Sequence, residues 1–73
     1  MADDIKMQSV SSSHLVAVGY DEATKRLLVT FRSGPTYEYR GVPKRTYEEL
    51  MAADSIGSYF HANIRSDFPN KRL

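Results

Sequence analysis

Two alternating segments joined by a turn cluster constrain this chain more than anything else in it. Arg26-Leu-Leu-Val-Thr-Phe-Arg32 and Thr36-Tyr-Glu-Tyr-Arg40 both alternate with period two, and Ser33-Gly34-Pro35 lies between them. Such alternation marks a strand with one buried face, and a Ser-Gly-Pro cluster marks a turn. The two segments are therefore expected to pair as an antiparallel hairpin. Burial selects the register. With Phe31 opposite Tyr37 and Val29 opposite Tyr39, one apolar face spans both strands. A slip of one residue would set both tyrosines beside Thr30 and Arg32.

His14-Leu-Val-Ala-Val-Gly-Tyr20 reads as a third strand, with Val16, Val18 and Tyr20 extending the same face. Short connections make the three strands an antiparallel meander. Past Gly41 the period becomes helical. Pro43 suits a first helical position, and Tyr47, Leu50 and Met51 form an apolar stripe. Asp54 or Ser55 is placed to cap a second helix, whose inner side carries Ile56, Tyr59, Phe60, Asn63 and Ile64. A three-stranded sheet with one apolar face is not stable bare in water. The expected fold class is therefore α+β, in the order β-β-β-α-α, with both helices on the face bearing Phe31 and Tyr37. Residues 1–13 and 69–73 carry no periodicity and are expected as a flexible leader and tail around a single domain of residues 14–68.

The chain has 73 residues and no cysteine, so neither a disulfide nor a Cys-based zinc site can staple a small core. Stability has to come from packing. Hydrophobic residues at 41% and charged residues at 26% are ordinary globular proportions. No apolar run reaches the ~20 residues that span a bilayer, and residues 1–10 do not resemble a signal peptide. The expected compartment is the cytoplasm, with no membrane partner. Net charge is +1, with −3 over residues 1–24 and +4 over residues 25–73. That balance permits a polyanion partner without requiring one.

Several stretches taken together resemble the KTSC domain family. They are Val18-Gly19-Tyr20-Asp21, Leu27-x-Val29-x-Phe31, Tyr37-Glu38-Tyr39, Val42-Pro43, and Ala53-Asp54-Ser55-x-Gly57-x-Tyr59-Phe60 with Ile64. The resemblance covers roughly residues 11–68. It implies a domain of unknown function that occurs at the C-terminus of some lysyl-tRNA synthetases and in small stand-alone proteins. A central Tyr-x-Tyr motif falls on Tyr37 and Tyr39. The synthetase association suggests RNA binding, and the family supplies no established catalytic residues.

Tyr37 and Tyr39 could stack bases, although the favoured register places them on the core face. Arg32 and Arg40 are expected on the outer sheet face. Lys44 and Arg45 fall in the first turn of the first helix, where they either receive a phosphate or pair with Glu48 and Glu49. These six residues form the candidate nucleic-acid-binding set. His14 and His61 lack a third ligand at metal spacing. Ser55 or Ser58 with His61 and Asp67 lacks a nucleophile motif. Gly57 reads as a packing site for Tyr47 or a strand. No catalytic, metal or cofactor site is expected. The leading expectation is a non-enzymatic binding module with tRNA-like RNA as the first ligand. The alternative is a protein-interaction or structural module, homodimeric through a sheet edge or through the outer face at Leu28.

Overall fold

In the computed structural model, which describes residues 5–73, the hairpin forms the centre of a five-stranded sheet rather than one side of a three-stranded one. The strands are β1 (Met7–Ser9), β2 (Leu15–Asp21), β3 (Arg26–Phe31), β4 (Thr36–Arg40) and β5 (Asn70–Arg72). They neighbour in chain order and every pair is antiparallel. Helices α1 (Lys44–Ala52) and α2 (Ile56–Asn63) lie between β4 and β5. The α+β class stands, but the β-β-β-α-α meander is corrected to β-β-β-β-α-α-β. Segments expected as leader and tail supply both edge strands, while residues 1–4 of that leader lie outside the described residues.

The two extra strands escape a periodicity reading for a physical reason. Each is three residues long and exposed throughout. Edge strands this short are common in natural sheets, and β5 carries Lys71 and Arg72. β5 is held by backbone bonds that extend past its ends: Arg40 N–H donates to the Pro69 carbonyl at 3.0 Å, and Leu73 N–H to the Thr36 carbonyl at 2.8 Å.

The hairpin register is two residues from the expected one, with Val29 opposite Tyr37 and Leu27 opposite Tyr39. A slip of two preserves the face, so the apolar side is unchanged. Its cause is the turn. Phe31 N–H already bonds the Pro35 carbonyl at 2.9 Å, and Gly34, at φ +124, allows the chain to reverse that early. Val16 is a second correction, since it is 40% exposed and Leu15 is fully buried in its place. A β-bulge between Leu15 and Ala17 shifts the register and reverses the inward side at that point.

The core joins Leu15, Val18, Leu27, Val29 and Tyr39 of the sheet to Val42, Leu50, Phe60 and Ile64 of the helical layer. Ser55 is the α2 cap, its hydroxyl oxygen accepting from Ser58 N–H at 3.3 Å. Pro43 is one position earlier than expected, as the α1 N-cap. On the opposite sheet face Glu38 is only 4% exposed. Arg26, Arg40 and Lys71 surround it at 2.7, 3.0 and 4.0 Å. Burial acts to raise its pKa. The Arg40 hydrogen bond and the charges of Arg26, Arg40 and Lys71 outweigh that and hold it below the ordinary carboxylate value.

Candidate functional site

On the helix-covered side, a cleft of about 910 Å³ opens where α2 leaves the sheet. Leu15, Phe31, Tyr37, Tyr39 and Phe60 supply its apolar surface. The rings meet edge to face: Phe31 and Tyr37 at 5.5 Å, Phe31 and Phe60 at 5.5 Å, Tyr39 and Phe60 at 5.3 Å. Tyr39 is 3% exposed and belongs to the core, whereas Tyr37 is half-buried and its ring borders the opening. Burial and the neighbouring Tyr37 push the Tyr39 hydroxyl above its ordinary pKa, against a smaller opposing effect of Arg65.

Polar groups reach the cleft from several segments. His14 comes from the stretch before β2, Ser33 from the hairpin turn, Ser58, His61 and Arg65 from α2 and its end, and Asn70 from β5. Gly57 allows the approach of the stretch before β2. A Cβ there would stand 3.0 Å from Ser12 Oγ and 3.4 Å from His14 Cδ2, so its close neighbours are these residues and not Tyr47. Gly57, His61 and Arg65 recur every four residues along one side of α2 and into its C-terminal turn. That spacing is the sequence signal that could have located the site. His61 Nδ1 and Arg65 Nη1 are 3.1 Å apart. No aspartate or glutamate lines the cleft among the described residues.

Of the six sequence-based candidates, Tyr37 and Tyr39 meet at the cleft with ring centroids 6.4 Å apart, whereas the four basic residues are not brought together with them. Arg32 follows β3 at the turn end of the sheet, where its guanidinium donates to the Ser12 carbonyl at 2.7 Å. Arg40 is at the other end, paired in register with Arg26 and bonded to Glu38. Lys44 meets Glu22 at 3.5 Å rather than Glu48, and Arg45 meets Glu49 at 3.5 Å as the i,i+4 reading anticipates. Glu49 also accepts from the Tyr59 hydroxyl at 2.7 Å, which ties α1 to α2.

The arginines instead divide by location. Arg26, Arg40 and Arg45 each meet a carboxylate. Arg32, Arg65 and Arg72 have no carboxylate within 4.0 Å among the described residues, and they differ in their relation to the cleft. Arg65 lines it, Arg32 precedes the lining residue Ser33, and Arg72 is the register partner of Tyr37 on the same sheet face. The described residues contain no cluster of three or more metal-ligating side chains and no helix long and apolar enough to cross a membrane.

Comparison with known proteins places this arrangement among relatives. Residues 11–68 match the KTSC domain. A protein of Tsukamurella paurometabola is 39% identical over 62 residues, covering 85% of this chain and 92% of that one. A lysine–tRNA ligase of Nostoc sp. is 41% identical over 61 residues, which is 84% of this chain but 11% of the ligase. The crystal structure of a KTSC domain protein from Yersinia pestis is similar at a TM-score of 0.92 and 36% identity, over 94% of this chain and 97% of that one.

Proposed function

We propose, proceeding from the fact that this chain belongs to the KTSC domain family, that it is a non-enzymatic binding module that takes RNA at the open cleft beside α2. The carrying observation is the cleft's lining: aromatic surface, histidines and an arginine, and no carboxylate among the described residues. Unpaired bases stack on aromatic rings while phosphates seek cations, so such a cleft suits a single-stranded stretch better than a duplex. The kinship with lysine–tRNA ligases favours RNA over other polyanions. A catalytic role for His14 or His61 finds little support, because no carboxylate at the cleft orients either imidazole.

With a net charge of only +1, affinity is weak and falls steeply with salt. Fluorescence polarisation of a labelled single-stranded RNA tests the reading. Binding at low salt should weaken at least about fivefold in Arg65→Gln, in line with a charge-assisted contact, and should be unchanged in Arg45→Gln. No binding at the lowest salt, or equal losses in both variants, contradicts it.

A second reading, a protein-interaction module that dimerises through a sheet edge, is favoured by one observation. Among the described residues no further strand pairs with the outward sides of β1 and β5, and Met7 and Leu73 are exposed there. Sedimentation equilibrium separates the two readings, since a mass that rises with concentration belongs to the second alone.

A further inference from the structure

We propose that the cleft is a one-nucleotide pocket, holding a single unstacked base against Tyr37 and Phe31 and that nucleotide's phosphate on Arg65. The inference rests on the RNA reading above and narrows it to a ligand unit.

Three features of the site support a single nucleotide over a run of bases. First, the cleft has a closed floor: Leu15, Tyr39 and Phe60 are buried beneath it. Second, two benzene-type rings border the opening, with the imidazoles of His14 and His61 also in the lining. Phe31 and Tyr37 are the half-buried pair, set edge to face with an interplanar angle of 82°. Such a corner accepts one base against one ring and its edge against the other, and offers no continuing platform. Third, one arginine, Arg65, lines the cleft, while the Arg32 guanidinium is bonded to the Ser12 carbonyl at 2.7 Å, so the cations at the cleft do not form a stripe along the sheet. A backbone-tracking groove needs a stripe.

The polar groups suit the two ends of a nucleotide. Arg65 has no carboxylate within reach among the described residues, and its contact with His61 Nδ1 at 3.1 Å holds the guanidinium over α2. Arg72 is the register partner of Tyr37 on β5, on the same sheet face. Toward the base, Asn70 spends its amide N–H on the Phe68 carbonyl at 3.2 Å, which leaves its side-chain carbonyl to accept. The Ser58 hydroxyl takes the Ser55 hydroxyl's bond at 3.0 Å and keeps its own proton to donate. An acceptor and a donor on the rim can therefore read a base edge.

Amide NMR titrations of the full chain with AMP, UMP, adenosine and inorganic phosphate test this, alongside Tyr37→Leu, Arg65→Gln and unfractionated tRNA. The expected result is saturable shifts from both monophosphates at Phe31, Tyr37, Ser58, His61 and Arg65. Adenosine and phosphate alone should each bind at least about fivefold more weakly, the scale of one lost stacking or charged contact. Both variants should lose AMP binding by a similar factor while keeping a folded spectrum. Phosphate binding as tightly as AMP overturns the pocket and leaves a simple anion site. If tRNA binds but neither monophosphate moves the cleft amides, the pocket is wrong and the RNA module stands. If neither tRNA nor a monophosphate binds, both fall.

Discussion

At the α1 end of the helix-covered face, Tyr20 and Tyr47 lie ring on ring, 4.7 Å apart and 9° from parallel. The Tyr20 hydroxyl donates to the Val42 carbonyl at 2.6 Å, and its pKa is raised by burial and by the nearby Glu22 and Asp21. Both rings are spent on each other, and the polar handle is satisfied inside the fold. At the α2 end the rings meet edge to face, and a cleft opens beside Tyr37 with no carboxylate in its lining among the described residues. The same residue type closes one end and leaves the other available. The difference lies in what reaches over the sheet: α1 brings a flat ring that matches Tyr20, whereas α2 brings Gly57 and Ser58 at the opening and Phe60 only to the floor.

The largest test of this contrast is Phe60→Ala. Phe60 is the buried ring that supports both Phe31 and Tyr39, so its loss should destabilise the fold by about 3–5 kcal/mol in urea titration. Phe31→Ala should cost less, because Phe31 is only half-buried at the cleft. Equal costs would mean that the cleft is closed in solution.

A smaller effect is expected on the opposite sheet face, where a charge cluster replaces apolar cover. Glu38→Gln should lower stability by roughly 1.5–3 kcal/mol, the scale of hydrogen bonds to charged groups. Because the folded-state pKa of Glu38 is depressed, its contribution is present above the reference value of 4.5 and is lost as pH falls through the lower folded value. The urea midpoint of the wild type should therefore drop more steeply below that pH than that of Glu38→Gln. Parallel curves would remove the linkage.

Tyr20→Phe should cost about 1 kcal/mol, the net worth of one hydrogen bond, and leave RNA binding untouched. A loss of RNA affinity in Tyr20→Phe would break the distinction between the two ends. Smallest of all, Arg45→Gln should stay within about 0.5 kcal/mol of wild type, since its exposed pair with Glu49 resembles other surface ion pairs.

How much of this was legible beforehand depends on the range of the interactions involved. The face shared by Leu27, Val29, Phe31, Tyr37 and Tyr39 could be read because alternation is local. The slip of two in register and the inversion at Val16 could not, because they depend on how early Gly34 turns the chain and on a bulge that no residue type announces. Met7–Ser9 and Asn70–Arg72 carry no signal of their own and become strands only when β2 and β4 present their edges. The candidate basic set failed to converge for a related reason. Arg32 and Arg40 share a sheet face by parity but lie at opposite ends of the hairpin, and Lys44 and Arg45 meet Glu22 and Glu49. The cleft draws on residues 14–15, 31–39, 57–65 and 70, which only the assembled fold brings together.

The most direct test of the central claim is an amide NMR titration with unfractionated tRNA at low and at near-physiological salt. The account predicts shifts clustered on Phe31, Tyr37, His61, Arg65 and Arg72 that shrink as salt rises, with Tyr20, Tyr47 and residues 44–45 unmoved. Shifts centred on Lys44 and Arg45, or an unchanged spectrum at low salt, would contradict it.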